Sequence, residues 1–533
     1  MKSPWRFICD LEEILPDAGV AALIDGKQIA VFRVGDQVYA LDNFDPNSEA
    51  NVLSRGIVGD VQGELVVASP VYKQHYSLIT GRCLEDADTS VRCYPARVTD
   101  GRVWIKSEPA RAVARKRNLV VIGNGMAGIR VIEELLEIAP NAYEITVFGA
   151  EPHPNYNRIL LSPVLAGEKR VEEIILNPIQ WYRDKAITLH TADPIVAIDR
   201  IKRVVRAKSG LQVPYDRLLL ATGSNPVILP IPGRDLPGVV TFRDLQDVDV
   251  MLHATRNHRK AVVIGGGLLG LEAANGLMKQ GMDVTVVHIF DTLMERQLDR
   301  AAATLLKESL ESRGMKFHMP AKTVELHGKP IASDSDPTTY SLQPTASVRV
   351  CSVLFEDGHE LEADLVVMAA GIRPNVDLAK SAGLRCDRGV LVSDTMQTFD
   401  PSIYAVGECV QHRNSTYGLV APLFEQAKVC ATHLAEFGIG QYRGSVVSTQ
   451  LKVTGIDLFS AGDFLGGPTS EALVMKDAKR GVYKRVVIEN NKVRGAVLYG
   501  DVKDGPWYFE LMQEGRDVGA LRDKLLFGSA FAK

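Results

Sequence analysis

The chain has 533 residues, too many for one hydrophobic core, and ordinary domain sizes divide it into about three or four domains. Residues that are 46% hydrophobic and 24% charged are the balance of a soluble globular protein and exclude a disordered one. A net charge of −4 supplies no basic field for phosphate backbones, which excludes nucleic acid as a partner.

The N-terminal stretch MKSPWRFICDLEEI carries acidic residues where a signal peptide needs an apolar core. No apolar run is long enough for a bilayer helix, so no membrane partner and a cytoplasmic location are expected. The seven cysteines are scattered and never spaced C-x-x-C, which argues against a disulfide framework or a cysteine-ligated metal; no metal site is expected.

From residue 1 to 108 the chain reads as short strands, with GKQIAVFRVGDQVYAL, GELVVAS and a hairpin through Asp100-Gly101 before GRVWIKS: a small all-β domain. After the linker PARAVARKRN, strands alternate with helices. The pattern predicts a first dinucleotide-binding domain from 117–245 and 371–440, enclosing a second at 246–370. The polar stretch Lys329 to Thr345 reads as a loop. A C-terminal α+β domain covers 445–533, with a hairpin loop at Glu489 to Lys492.

In NLVVIGNGMAGIRVIEELL an apolar strand runs into Gly123, Gly125 and Gly128 and then a helix. Gly123 permits a tight turn, Gly125 admits a pyrophosphate, and Gly128 lets the helix pack on the strand, while the helix N-terminus, with Met126 and Ala127, faces the phosphates. The second strand ends on Gly149, so the ribose carboxylate shifts to Glu151, unless that residue is a solvated loop acid. YDRLLLATGSNP places Thr222 and Gly223 after a further strand, and PSIYAVGECV places Gly407 and Glu408 after another.

KAVVIGGGLLGLEAANGLMKQGMDVTVVH repeats the device with Gly265, Gly267, Leu269 and Gly270. His288 stands where an acid would hold the ribose hydroxyls of NADH, and no adjacent arginine pair offers itself to the NADPH phosphate. Glu272, early in the helix, is a candidate neighbour of the nicotinamide, with a plain surface carboxylate as the alternative. Fingerprints in this order imply hydride transfer from NADH or NADPH to FAD within one subunit. A helix beginning around Pro422 is expected to turn its positive end toward the reduced flavin, unless it is a packing helix only.

From about Asn118 onward the sequence resembles the FAD- and NAD-binding portion of the large subunit of assimilatory NAD(P)H nitrite reductase. YNRILLS with Arg158, TLMERQLD, GIRPN with Gly371, and VGECVQHRNSTYGLVAP carry the resemblance. Residues 1–108 resemble that enzyme's small subunit, a Rieske-like domain, through VASPVYKQHYSLITGRCLED and YPARVTDGRVWI. The resemblance implies a glutathione-reductase-like flavoprotein in which Glu408, where most relatives have Asp, faces the flavin ribityl chain.

Disulfide reductases of this architecture carry cysteines soon after the first fingerprint, whereas PNYNRILLSPVLAGEK has none, so no thiol relay is expected there. A Rieske cluster needs C-x-H and C-x-x-H pairs, whereas this chain offers Asp45-Pro46-Asn47 and Ser69 to Tyr72, with His75 a lone remnant. No cluster is therefore expected, and without sirohaem domains the chain is not expected to reduce nitrite alone. The implied activity is electron transfer from NAD(P)H through FAD to a separate nitrite or nitrate reductase protein carrying sirohaem, iron-sulfur or molybdenum centres. A general ferredoxin or rubredoxin reductase and a redox-regulated binding flavoprotein are the alternatives.

Overall fold

The computed structural model describes residues 5–86, 88–106, 116–330, 348–437, 440–446, 448–451, 456–477 and 479–532. It separates into two units, Met1–Arg117 and Asn118–Lys533.

The first unit is all β. Ala18–Ile24, Lys27–Val34, Gln37–Asp42 and Cys93–Tyr94 form a four-stranded sheet, and Ile57–Val61, Glu64–Ala68 and His75–Ser77 a three-stranded one. Alternate residues of these strands, Ala30 and Phe32 with Val67 and Tyr76, meet in one core. Period-two patterning places them there, because successive strand side chains point to opposite faces. Asp100 and Gly101 both have positive φ, 51° and 70°, and join Ala96–Thr99 to Arg102–Lys106 as the hairpin expected of them.

The second unit contains two parallel five-stranded sheets. In the first the order is Thr188–His190, Tyr143–Phe148, Arg117–Ile122, Arg217–Leu220, Ile403–Ala405. In the second it is Val239–Thr241, Leu365–Met368, Lys260–Ile264, Asp283–Val287, Lys316–His318. In each, the strand that opens the fingerprint lies centrally and its helix, Met126–Ile138 or Leu268–Lys279, follows directly. The sheet interiors are nearly continuous apolar runs, as parallel strands covered on both faces require.

One predicted boundary needs correction. Val239–Thr241 falls within 117–245, the stretch assigned to the first sheet, yet it pairs in parallel with Val366–Met368 of the second. A three-residue strand has no periodicity of its own, so only the open edge beside Leu365–Met368 decides its partner. The expected loop at Lys329 to Thr345 lies mostly outside the described residues; Lys329 and Pro330 close the strand Thr323–Pro330.

The C-terminal part is an antiparallel five-stranded sheet, in order Ser448–Leu451, Leu458–Gly462, Lys492–Tyr499, Val482–Glu489, Glu471–Asp477, with helix Gly505–Glu514 on it. Asn490 and Asn491, both at positive φ, make the two-residue hairpin turn. Its buried Leu458, Tyr483 and Val497 share a core with Leu306 and Leu310 of the second parallel-sheet region.

Candidate active site

The two glycine fingerprints have the same geometry. Gly123 and Gly265 sit at φ of 114° and 133°, and a Cβ on either would lie 2.1 or 2.2 Å from a carbonyl oxygen, of Ala221 or Ala369. A Cβ on Gly128 or Gly270 would collide with the turn, meeting the Gly123 carbonyl oxygen at 2.9 Å or that of Gly265 at 1.9 Å. The middle glycines differ: a Cβ at Gly125 or Gly267 meets nothing within 4 Å. First and third glycines are thus required by the protein's own backbone, whereas the middle ones border open space at a helix N-cap. That space, beside unpaired helix N–H groups, is what a pyrophosphate occupies, so both sites fit a dinucleotide.

A cavity of about 630 Å³ opens beside the first fingerprint, within the size range of ligand pockets. Of the residues singled out by sequence, Gly123, Gly125, Met126, Ala127, Glu151, Arg158, Thr222, Gly223, Leu269, Glu272, Gly407 and Glu408 line it. Gly128, Gly265, Gly267, Gly270, His288 and Gly371 are not on this wall. Gly371, at φ 110°, instead turns the chain toward the strand Ile372–Pro374, and its carbonyl accepts the Val227 N–H at 2.9 Å. No cysteine borders the cavity; Cys409 and Cys430 are fully buried.

Two ion pairs lie on the wall. Arg158 forms an ion pair with Glu151, whose other oxygen accepts the Tyr156 hydroxyl at 2.6 Å. Glu408 accepts the Ser224 hydroxyl at 2.9 Å and pairs with Arg243. Arg158 in turn donates to the Arg243 carbonyl at 3.0 Å, so the two pairs are mechanically joined. Ser224 and Tyr156 lie in the stretches YDRLLLATGSNP and YNRILLS but are not singled out by them, and Arg243 escaped sequence reasoning because no motif marks it and it is 165 residues from Glu408. Burial, reinforced by Asp244, raises the Asp247 carboxyl above its ordinary range on the same wall.

The helix expected around Pro422 runs Val420–Leu434, and its first residues, Val420 and Ala421, line the cavity. Its N-terminal end is therefore turned to whatever fills the chamber. Leu268, Leu269 and Glu272, from the first turns of the second fingerprint helix, line the same cavity, and Glu272 accepts the Ser162 hydroxyl at 2.7 Å.

His288 directly follows the strand Asp283–Val287 and is buried. Its Nδ1 accepts the Gly266 N–H at 3.1 Å and its Nε2 lies 3.0 Å from Glu295 Oε2. A Cβ on Gly266 would lie 2.8 Å from the His288 ring. The first fingerprint reverses this arrangement: Asn124 holds the equivalent turn position and Gly149 follows the strand Tyr143–Phe148. One side chain fits between turn and strand end, and the two fingerprints supply it from opposite sides.

In the first unit Asp45 is fully buried. Its carboxylate accepts the hydroxyls of Ser69 at 2.6 Å, Tyr76 at 2.7 Å and Ser48 at 2.8 Å, and the Asn47 N–H at 3.0 Å. Burial pushes the Cys93 thiol up to about 11 and raises that of Cys83, opposing thiolate formation. His75 Nδ1 is 2.5 Å from Glu85. Among the described residues no group of three or more His, Cys, Asp or Glu is placed to hold a metal ion. Nor is any described helix long and apolar enough to cross a membrane.

Comparison with known proteins matches residues 117–433 to the pyridine nucleotide-disulphide oxidoreductase family. Residues 4–106 match the Rieske-like [2Fe-2S] domain, and 448–516 the rubredoxin NAD+ reductase C-terminal domain. The residues around Asp45 do not fit the cluster of that second description, since neither thiolates nor imidazoles stand where it needs them. The chain is 49% identical over 403 residues to a nitrite reductase [NAD(P)H] of Bacillus subtilis, covering 76% of this chain and 48% of that protein. It is 43% identical over 412 residues to the assimilatory nitrate reductase electron transfer subunit of the same organism, covering 77% and 51%. The chain therefore spans about half the length of these relatives. The NADH:rubredoxin oxidoreductase structure from Clostridium acetobutylicum superposes with a TM-score of 0.62 at 25% identity, over 76% of this chain and 97% of that one. The paired fingerprints, the shared chamber and these matches place the chain in the pyridine nucleotide-disulphide oxidoreductase family, as an NAD(P)H oxidoreductase whose family cofactors are FAD and NAD(P)H.

Proposed function

We propose that the chain takes hydride from NADH and passes electrons to a separate nitrite or nitrate reductase protein holding the metal centres, in the cytoplasm. One observation carries the redox part: the helix starts of both fingerprints, at Met126 and Leu268, open into one chamber. The two relatives named above support the acceptor.

In this reading 117–245 and 371–440, less the strand Val239–Thr241, hold FAD, and 246–370 holds the nicotinamide dinucleotide. The domains 1–108 and 445–533 precede and follow them along the chain. Gly125 and the helix start at Met126 receive the flavin pyrophosphate, Glu151 with Arg158 faces the adenosine end, and Glu408 with Arg243 faces the ribityl chain. Thr222 and Gly223 fix the crossover, where the Thr222 hydroxyl donates to the Asn375 carbonyl at 2.8 Å. Gly267 receives the nicotinamide pyrophosphate and Glu272 faces its reactive end. When bound, FAD supplies the conversion of a two-electron hydride into electrons a metal centre accepts. The positive end of Val420–Leu434 stabilises negative charge in the chamber, and with no cysteine on the wall the electrons leave outward rather than through a disulfide.

The test is stopped-flow reduction of the bound flavin by NADH, followed by mixing with a purified assimilatory nitrite or nitrate reductase. Reoxidation by that protein at a rate matching turnover is the expected result. Equal or faster reoxidation by rubredoxin or ferredoxin, the reading favoured by the C-terminal domain match, would replace the proposed acceptor.

A further inference from the structure

The hydrogen bonds of His288 bear on which nicotinamide dinucleotide the second fingerprint admits. Its Nδ1 accepts a hydrogen bond from the Gly266 N–H, so the ring proton sits on Nε2, which donates to Glu295. Both nitrogens are thereby committed within the protein, and the imidazole has no polar atom left for a ribose hydroxyl. The role expected of His288 from its position must fall to another group.

Glu295 is that group's strongest candidate by placement. The segment carrying it is fastened to the fingerprint turn twice: Gly266 donates to His288, and the Met294 N–H donates to the Gly266 carbonyl at 3.0 Å. Met294 is buried and holds φ of 51°, the left-handed region that costs a non-glycine residue about 1–3 kcal/mol. That conformation sets the direction of the next residue, Glu295, whose side chain remains 30% exposed while His288 is 8% exposed. The carboxylate thus sits at the surface, beside the turn that would hold the pyrophosphate, at the end of the second strand. Ile289 and Phe290, both at least half exposed, offer an apolar face of the kind an adenine ring covers.

We propose that Glu295, held in place by His288, is the carboxylate that accepts the adenosine ribose hydroxyls of NADH and repels the 2′-phosphate of NADPH. This rests on the reading that the second fingerprint binds the nicotinamide dinucleotide. His288 is a positioning residue in this scheme, and Glu295 the one that sets specificity. Arg296, exposed and next in the chain, is the rival, since a guanidinium there would favour the phosphate.

Flavin reduction in the FAD-loaded protein, with NADH and with NADPH, tests the assignment on Glu295→Gln, Glu295→Asp, His288→Phe and the parent. Inhibition by 5′-AMP and by adenosine 2′,5′-bisphosphate gives a second readout that needs no hydride transfer. The parent should prefer NADH, and Glu295→Gln should lower the NADH to NADPH ratio of kcat/KM by about tenfold or more, while tightening the bisphosphate relative to AMP. His288→Phe should move both readouts the same way, and Glu295→Asp should restore most of the preference. An unchanged ratio in Glu295→Gln, or a parent that prefers NADPH, overturns the proposal. Gly267→Val separates this from failure of the underlying reading: if that variant still accepts hydride normally, the dinucleotide lies elsewhere and the whole site assignment falls.

Discussion

The carboxylate of Asp45 and the hydroxyl of Ser69, 24 residues apart, are joined by a 2.6 Å hydrogen bond that ties together the two loops where a Rieske domain would carry its cluster. Tyr76, Ser48 and the Asn47 N–H take up the rest of that carboxylate. A polar knot of protein atoms thus performs the cross-linking that iron and sulfide perform in a cluster-bearing domain.

Asp45→Ala should therefore destabilise the first unit by about 3 kcal/mol, because it strips a buried carboxylate from several donors at once. Chemical denaturation followed by tryptophan fluorescence, to which Trp5 and Trp104 of the first unit contribute, measures this; a loss below about 0.5 kcal/mol, the range of ordinary surface substitutions, would show that the knot is not structural. Iron and acid-labile sulfide in the purified protein should be far below stoichiometric, with about one FAD per chain.

The middle glycines make a paired prediction. Because a Cβ at Gly125 or Gly267 meets nothing, Val at either site leaves the fold intact and obstructs only the ligand. Gly267→Val should retain flavin and raise the KM for the nicotinamide dinucleotide by about a hundredfold, or ~2.7 kcal/mol, whereas Gly125→Val should lose flavin. Absorbance at the flavin band and steady-state kinetics distinguish them. Flavin loss from a folded Gly267→Val protein would reverse the assignment of the two fingerprints.

Arg243 and Glu408 face each other on the chamber wall. Removing Arg243 leaves a partly buried carboxylate without its cation, and Arg243→Ala should weaken flavin binding about tenfold or more. Titration of the apoprotein with FAD is the measurement. A drop in melting temperature with unchanged flavin affinity would make the pair a structural bridge only.

Asp394 gives the pH dependence a location. Hydrogen bonds from Arg413 and from buried His412 lower its carboxyl from the ordinary 3.8 to about 2. A depressed folded-state value means that the contribution is fully present above the unfolded pKa and is lost as pH falls through the folded one. Stability of the parent should therefore decline between about pH 4 and 2, and Asp394→Asn should flatten that limb in urea titrations at stepped pH. Equal acid limbs in the two proteins would place the acid sensitivity elsewhere.

Much of this molecule is written in short-range sequence. Gly123 and Gly265 are readable because a tight turn after a strand needs positive φ there, and the Asp100-Gly101 and Asn490-Asn491 hairpins because two-residue turns need it at both positions. The apolar runs Leu119–Ile122 and Ala261–Ile264 declare buried parallel strands by composition alone. What the tertiary structure decided is who meets whom across the fold. Glu408 stands after a recognisable strand, but its pairing with Arg243 exists only because two distant segments border one chamber. His288 directly follows its strand as expected, yet whether its ring faces a ribose or the Gly266 N–H depends on a loop whose course no periodicity encodes. Backbone conformation is a local property of a few residues, whereas side-chain partnership depends on how sheets stack, and only the folded chain contains that information.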